Sequence, residues 1–188
     1  MEVSDSELMM RLARGEDLAL NSLMDRWGER VASFLLRMTG RRDAAVDLAQ
    51  ETFVKLYDAR SRYRPTGNFS TYLFGIAANL ARNHARWQRR HPTVSLDATP
   101  EDGGPASPEV ADPSQTPEQA AESADRIRAV HQAFLDLPPD LREAMTLFIH
   151  EGLGYAEIAS ISGCSPKSIE TRIYRARRIL KEQLKGLD

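Results

Sequence analysis

A single cysteine, Cys164, stands in 188 residues. That excludes an internal disulfide framework and fits a reducing compartment. Long apolar runs are missing as well. None approaches the roughly 20 residues that a membrane-spanning helix requires. The first residues, Met-Glu-Val-Ser-Asp-Ser, are polar and acidic, which is not the pattern of a secretory signal. The four histidines, His84, His91, His131 and His150, are scattered, and Cys164 has no second thiol to pair with. The spacing therefore predicts no metal site. Strand-type alternation is absent too, and apolar residues recur instead at helical intervals.

Charge is present in abundance but unevenly. The formal net charge is only -2. Between Ala59 and Leu96 there is no acid, but Arg60, Arg62, Arg64, Arg82, Arg86, Arg89 and Arg90 are there. Between His91 and Asp125 there is no Lys or Arg, but there are eight acids. The C-terminal stretch turns basic again, with Lys167, Arg172, Arg175, Arg177, Arg178, Lys181 and Lys185. This order describes two polyanion-binding surfaces with an acidic spacer between them. Six of the ten prolines lie in that spacer, and its only large apolar residues are Val94, Leu96 and Val110. Such a segment buries too little surface to offset its ordering entropy. The expected fold is all-α: an N-terminal helical bundle (1–90), a flexible Pro-rich acidic linker (91–119) and a C-terminal helix-turn-helix domain (120–188).

Four helices are expected in each domain. The first follows Ser4 or Asp5, and the second runs from Asp17 to Met38 and ends at Gly40. Asp43 is the expected cap of the third, which buries Ala45, Leu48, Ala49, Thr52, Phe53 and Leu56. After a turn at 64–68, the fourth runs from Ser70 to Arg90 with Leu73, Ile76, Ala77, Leu80, His84 and Trp87 inward. In the C-terminal domain the first helix is expected to bury Ile127, Val130, Phe134 and Leu137. Pro138-Pro139-Asp140 then starts a second, with Leu141, Ala144, Met145 and Phe148 inward. The third carries Ala156, Ile158, Ala159 and Ile161.

The stretch from Tyr155 to Arg178 is the most informative. A short helix, a turn at Gly163 and a longer basic helix capped by Ser165, with Pro166 at its first position, make a helix-turn-helix. At 100° per residue Ile169, Ile173, Ala176 and Leu180 face inward. Lys167, Thr171, Tyr174, Arg175 and Arg178 then face outward. Lysine and arginine neutralise phosphates, while Thr171 and Arg175 can reach base edges. Ser168 and Arg172 complete the candidate set. Glu170 has two readings, an acceptor for a cytosine amino group or a solvated flank.

The fourth helix points Asn79, Arg82, Arg86 and Arg89 along one stripe, next to a loop from Tyr63 to Phe69. Basic charge with nearby aromatic rings suits an unstacked single strand. Tyr63 and Phe69 are equally consistent with core packing, and Phe74 reads as core. The third helix turns Asp43, Asp47, Gln50, Glu51, Val54 and Asp58 outward. An acidic face with an apolar centre suits a protein contact rather than DNA.

Asp47-Leu-Ala-Gln-Glu-Thr-Phe-Val-Lys-Leu-Tyr, followed by Phe69-Ser-Thr-Tyr-Leu-Phe-Gly-Ile-Ala-Ala-Asn-Leu-Ala-Arg-Asn, resembles the second conserved region of extracytoplasmic-function sigma factors. Leu137-Pro, Leu141-Arg-Glu-Ala and the helix-turn-helix resemble their fourth region. The resemblance covers both domains. It implies a non-enzymatic transcription initiation factor that binds the RNA polymerase core, its β′ and β subunits, and promoter DNA. Asp47, Gln50, Glu51 and Val54 would dock on the clamp helices of β′. Tyr63, Asn68, Phe69, Asn79, Arg82, Asn83 and Arg86 would serve the −10 element. Lys167, Ser168, Thr171, Arg172, Tyr174, Arg175 and Arg178 would read the −35 element. The resemblance implies an anti-sigma factor as a further partner, no cofactor and no small-molecule substrate. It places the protein in the cytoplasm, tethered to a membrane only through such a partner. At position 170 the family often carries a basic or small residue, so Glu170 is a departure. The acidic linker fits either a mimic of RNA charge or a plain tether.

Two other functions compete. A DNA recombinase needs an activated nucleophile among arginines, and the available serines, Ser61 and Ser70, lie around a short loop in a small domain. A simple helix-turn-helix regulator would bind a palindromic duplex without polymerase, leaving the Asp47–Glu51 face and the arginine-rich helix without a task.

Overall fold

The computed structural model describes residues 3–91 and 117–185, with side chains described from 123 onward in the second stretch. All regular elements there are helices: α1 (Asp5–Ala13), α2 (Leu18–Thr39), α3 (Arg42–Asp58), α4 (Phe69–Arg90), α5 (Pro117–Leu135), α6 (Pro139–Ile149), α7 (Tyr155–Ser162) and α8 (Pro166–Gln183). A single 3-10 turn, Arg60–Arg62, follows α3. The linker expected between the domains falls mostly outside the described residues. No described helix is long and apolar enough to cross a membrane.

The helix ends follow from local chemistry. The Ser4 hydroxyl accepts from the Glu7 N–H and starts α1. Gly40 closes α2 in the left-handed region at φ 71°. A side chain there would be strained, and a Cβ would also lie 3.3 Å from the Leu135 methyls. One residue thus ends a helix and admits the C-terminal domain. Asp43 departs from expectation. Arg41 is the N-cap of α3, and Asp43 sits in its first turn, paired with the Arg41 guanidinium and accepting from the Ala44 N–H at 2.7 Å. Those two donors hold its carboxyl below the usual range.

In the N-terminal bundle α2 packs on α3 and α4. Phe34 and Phe74 are fully buried and meet edge to face, 5.4 Å between centroids. Trp27 lies edge-on to Phe74 and to Phe69. Burying each phenylalanine contributes about 1.5–3 kcal/mol. The expected α3 stripe is buried in full, and Thr52 satisfies its hydroxyl on the Leu48 carbonyl at 2.7 Å. Three apolar residues expected inward are not. Trp87 is 53% exposed, Val130 43% and Ile127 36%. Trp87 lies on the last turns of α4 and stacks on His91, while Ala133 and Leu137 are the buried residues at the end of α5 and beyond it.

In the C-terminal domain α6 and α7 both pack on α8. Ile169, Ile173, Ala176 and Leu180 are its buried face. Gly163 takes the left-handed turn at φ 65°, and Ser165 caps α8 by accepting from the Ser168 N–H. In α7, Ile158, Ala159 and Ile161 are buried and Ala156 is exposed. The two domains touch. α4 lies along α7, and α2 meets α5 and α6.

Candidate nucleic-acid and protein interfaces

The basic face of α8 is open. Lys167, Thr171, Tyr174, Arg175 and Arg178 are all exposed, opposite the buried face. Tyr174 is 66% exposed, a large aromatic that the fold does not bury. Two expected readers sit differently. Arg172 turns toward α6, where its guanidinium lies 3.5 Å from the Asp140 carboxylate with 26% of the side chain exposed. Ser168 is half-buried on the flank, and its N–H serves the cap. Both lie on the side of α8 that turns toward its own domain, because the helix presents only one stripe outward.

The basic face of α4 is occupied at Arg82, while Arg86 and Arg89 stay exposed. A cleft of about 1400 Å³ runs between the loop and start of α4 on one side and α7 on the other. Across it, Glu143 of α6 accepts from the Arg82 guanidinium with both oxygens, each at 2.8 Å. Only 4% of the Glu143 side chain is exposed. The Ser162 hydroxyl donates to the same carboxylate, and Arg82 reaches on to the Ile161 carbonyl. A second acid, Glu157 of α7, accepts from the Asn68 amide at 2.6 Å and the Thr71 hydroxyl at 3.0 Å. Asn68 is the N-cap of α4 yet makes no side-chain cap bond, because its side chain is spent across the domains. Glu157 also accepts from the Gly154 N–H. These donors hold its carboxyl below the usual range, the Gly154 N–H first.

The aromatic loop is tucked in. Tyr63 is 8% exposed and Phe69 5%. Tyr63 packs edge-on against Phe69 and Tyr72, its hydroxyl 3.3 Å from that of Ser6, while Phe69 packs on Trp27. Neither ring is free to receive a base in this arrangement. Tyr63 forms part of the cleft wall. Asn79, Asn83 and Arg86 remain exposed, with Arg86 donating to the Asn83 side chain.

The outward face of α3 presents Asp47, Gln50, Glu51 and Val54, all exposed. Val54 is 56% exposed, and Val46, one turn before Gln50, is 45% exposed. The apolar centre of this face is therefore larger than Val54 alone. Reading α3 at 100° per residue would have shown Val46 beside Gln50. Glu143 had a signal too, as a carboxylate among the inward residues of α6, where a buried acid demands a partner. The identity of that partner had none.

Two family models match the chain, Sigma-70 region 2 over residues 23–91 and Sigma-70, region 4 over residues 127–180. Over 188 residues the chain is 34% identical to the RNA polymerase sigma-H factor of Pseudomonas aeruginosa, covering 97% of this chain and 95% of that one. The chain belongs to the extracytoplasmic-function sigma factor family. The ECF RNA polymerase sigma-E factor of Haemophilus influenzae is also 34% identical, over 99% of this chain and 98% of its own. Among solved structures, the sigma factor RpoE in complex with the anti-sigma factor NepR from Bartonella quintana is similar, with a TM-score of 0.68 and 25% identity over 88% of this chain and 96% of that chain. In this sigma factor the region 2 match ends at His91, one residue beyond α4, and the region 4 match spans α6, α7 and most of α8.

Proposed function

We propose that three surfaces divide the work of this sigma factor in starting transcription at specific promoters. The α3 face of Asp47, Gln50, Glu51 and Val54, with Val46, docks on the RNA polymerase core. Asn68, Asn79, Arg82, Asn83 and Arg86, beside the cleft wall at Tyr63, hold the melted −10 strand. Lys167, Thr171, Tyr174, Arg175 and Arg178 read the −35 duplex. Residues 1–90 and 120–188 act as separate domains on a tether, with α5 already under way at Pro117. The protein is a cytoplasmic initiation factor and not an enzyme.

The exposed α8 stripe carries this reading: phosphate-neutralising and base-reaching side chains stand on one face, with the other face committed to the core. The contacts at Arg82 and Asn68 add a condition. Arg82 and Asn68 already bond to Glu143 and Glu157, so a strand can take them only when the domains part. The chain alone therefore binds a −10 strand weakly, and polymerase, by engaging each domain separately, opens the cleft. A relative of like fold is solved with an anti-sigma factor, and a protein of that kind covering the α3 or α8 face is the regulator this reading expects.

Run-off transcription with purified core on a genomic fragment library tests it. Discrete new transcripts sharing two upstream elements are expected. Duplex binding without transcripts would favour the simple regulator. Asp47→Lys is expected to weaken core binding by several kcal/mol, the cost of setting like charges together, with an unchanged circular dichroism spectrum because Asp47 is exposed. Normal core affinity would remove the α3 face from the assignment.

A further inference from the structure

Glu170 has no task among these assignments. It is the one acid in α8 ahead of Glu182, on a helix otherwise built to approach polyanions. Half of its side chain is exposed, and its carboxylate lies 2.8 Å from the ammonium of Lys167. An exposed pair three residues apart stabilises a helix only marginally, so folding does not account for it. Near phosphates a carboxylate is repelled. In the major groove it can be satisfied by one kind of group, the exocyclic amino group of cytosine or adenine. Lys167 and Glu170 stand in the first turns of α8, the part of a recognition helix that meets base edges.

The pair has a defined chemical shape, a donor and an acceptor side by side. A G·C base pair presents the complement. Its guanine O6 accepts and its cytosine N4 donates, and the two are joined across the pair at an ordinary N–H···O separation of about 2.9 Å. That matches the spacing of the Lys167–Glu170 pair. Lys167 Nζ can then donate to O6 while Glu170 Oε2 accepts from N4. A T·A pair also sets an acceptor beside a donor. Beyond thymine O4, however, lies the apolar methyl, whereas beyond guanine O6 lies N7, a second acceptor for the ammonium. The reversed pair, C·G, would set Lys167 against the N4 donor. The hydroxyl of Thr171 does not compete, since it donates to the Lys167 carbonyl at 3.0 Å.

We propose that Lys167 and Glu170 read one G·C base pair of the −35 element as a unit, with Glu170 the specificity-determining residue that accepts from cytosine N4. This rests on α8 being the −35 reader. The test uses holoenzyme assembled from core and the full chain, bound to a duplex promoter pool randomised across the −35 element, with bound and free fractions sequenced. The unsubstituted chain should favour G·C at one position on the order of tenfold, the scale of one good base contact. Glu170→Ala should erase that preference alone and leave the other positions unchanged. Lys167→Ala should erode the same position, and the double substitution should be no worse there than the more damaging single one. A Glu170→Ala profile identical to the unsubstituted one would overturn the proposal. So would a uniform rise in affinity for every sequence, which would make Glu170 a repulsive charge and nothing more. If the pool shows no −35 preference and Arg175→Ala changes nothing either, the reading of α8 itself falls. A preference that Arg175→Ala alters and Glu170→Ala does not refutes only the role given to Glu170.

Discussion

The two basic helices stand in opposite states. α8 turns Lys167, Thr171, Tyr174, Arg175 and Arg178 to solvent. α4 has its central arginine clasped by a buried carboxylate of the other domain, and its N-cap amide is held by a second. The difference matches what each helix would bind under the proposed assignment. A duplex groove is a surface already formed, and a helix can meet it as it stands. A melted strand exists only after polymerase has opened the duplex, so a face for it gains from being covered until then. Glu143 and Glu157 are anionic oxygen acceptors, as a DNA phosphate is, and they satisfy the same donors. The outward stripe of α8 needs no such cover.

The comparison breaks most directly by removing the acids. Glu143→Gln with Glu157→Gln should raise the affinity of the chain alone for a fluorescent single-stranded thymidine oligomer by about 1.5–3 kcal/mol, the scale of one charged hydrogen bond lost from the closed form. Binding of a −35 duplex should stay within a factor of about two, since α8 already stands open. Fluorescence anisotropy measures both. Equal single-strand affinity in the two proteins would mean that the contact across the cleft does not govern access to α4.

Arg175→Ala sharpens the other half. It should lower −35 discrimination by roughly 1–3 kcal/mol and leave single-strand affinity alone. Competition between matched and mismatched −35 duplexes in holoenzyme reads this directly. Loss of single-strand binding as well would show that the two surfaces are not independent.

The smallest effect concerns pH. His131 and His150 lie where α5 and α6 meet α2, and burial, followed by the charge of Arg37, pushes both below the ordinary value of 6.5. Facing them are Arg37, itself lowered by burial, and Glu151, which accepts from Arg30 and is raised from 4.5 by burial. A histidine lowered by folding is favoured neutral in the closed form. Its contribution is intact above pH 6.5 and is lost as pH falls toward the folded value. Glu151 acts in the opposite sense, since burial raises its carboxyl and protonation favours its buried form. The domain contact should therefore loosen modestly just below pH 6.5. Energy transfer between a dye on Cys164 and one on an introduced Leu18→Cys should record it. An unchanged signal between pH 7.5 and 6 would remove the histidines from the contact.

Much of this was legible beforehand. The buried stripes of α3 and α8, the ends at Ser4, Gly40 and Ser165, and the outward basic face of α8 all follow from helical periodicity and cap chemistry, which act within a few residues. The misplacements share a cause. Arg172 borders the inward stripe of α8 at 100° per residue, and Asp140 of α6 lies within its reach. Trp87 and Val130 are apolar at inward spacing, but among the described residues no neighbouring helix covers them, and they stay 53% and 43% exposed. Tyr63 and Phe69 suited a ring-lined loop or a core equally well, and Trp27, far away in sequence, decided for Phe69.

By itself, then, the sequence determined the helices, their inward faces, the basic-acidic-basic order and the family, because these depend on local spacing and on motifs that are contiguous in the chain. Only the tertiary structure decided that Arg82 meets Glu143 and Asn68 meets Glu157, across 61 and 89 residues respectively. Pairings at that separation are set by how whole helices pack. Charge alone does not choose among them, because any arginine in the chain could have paired with any acid.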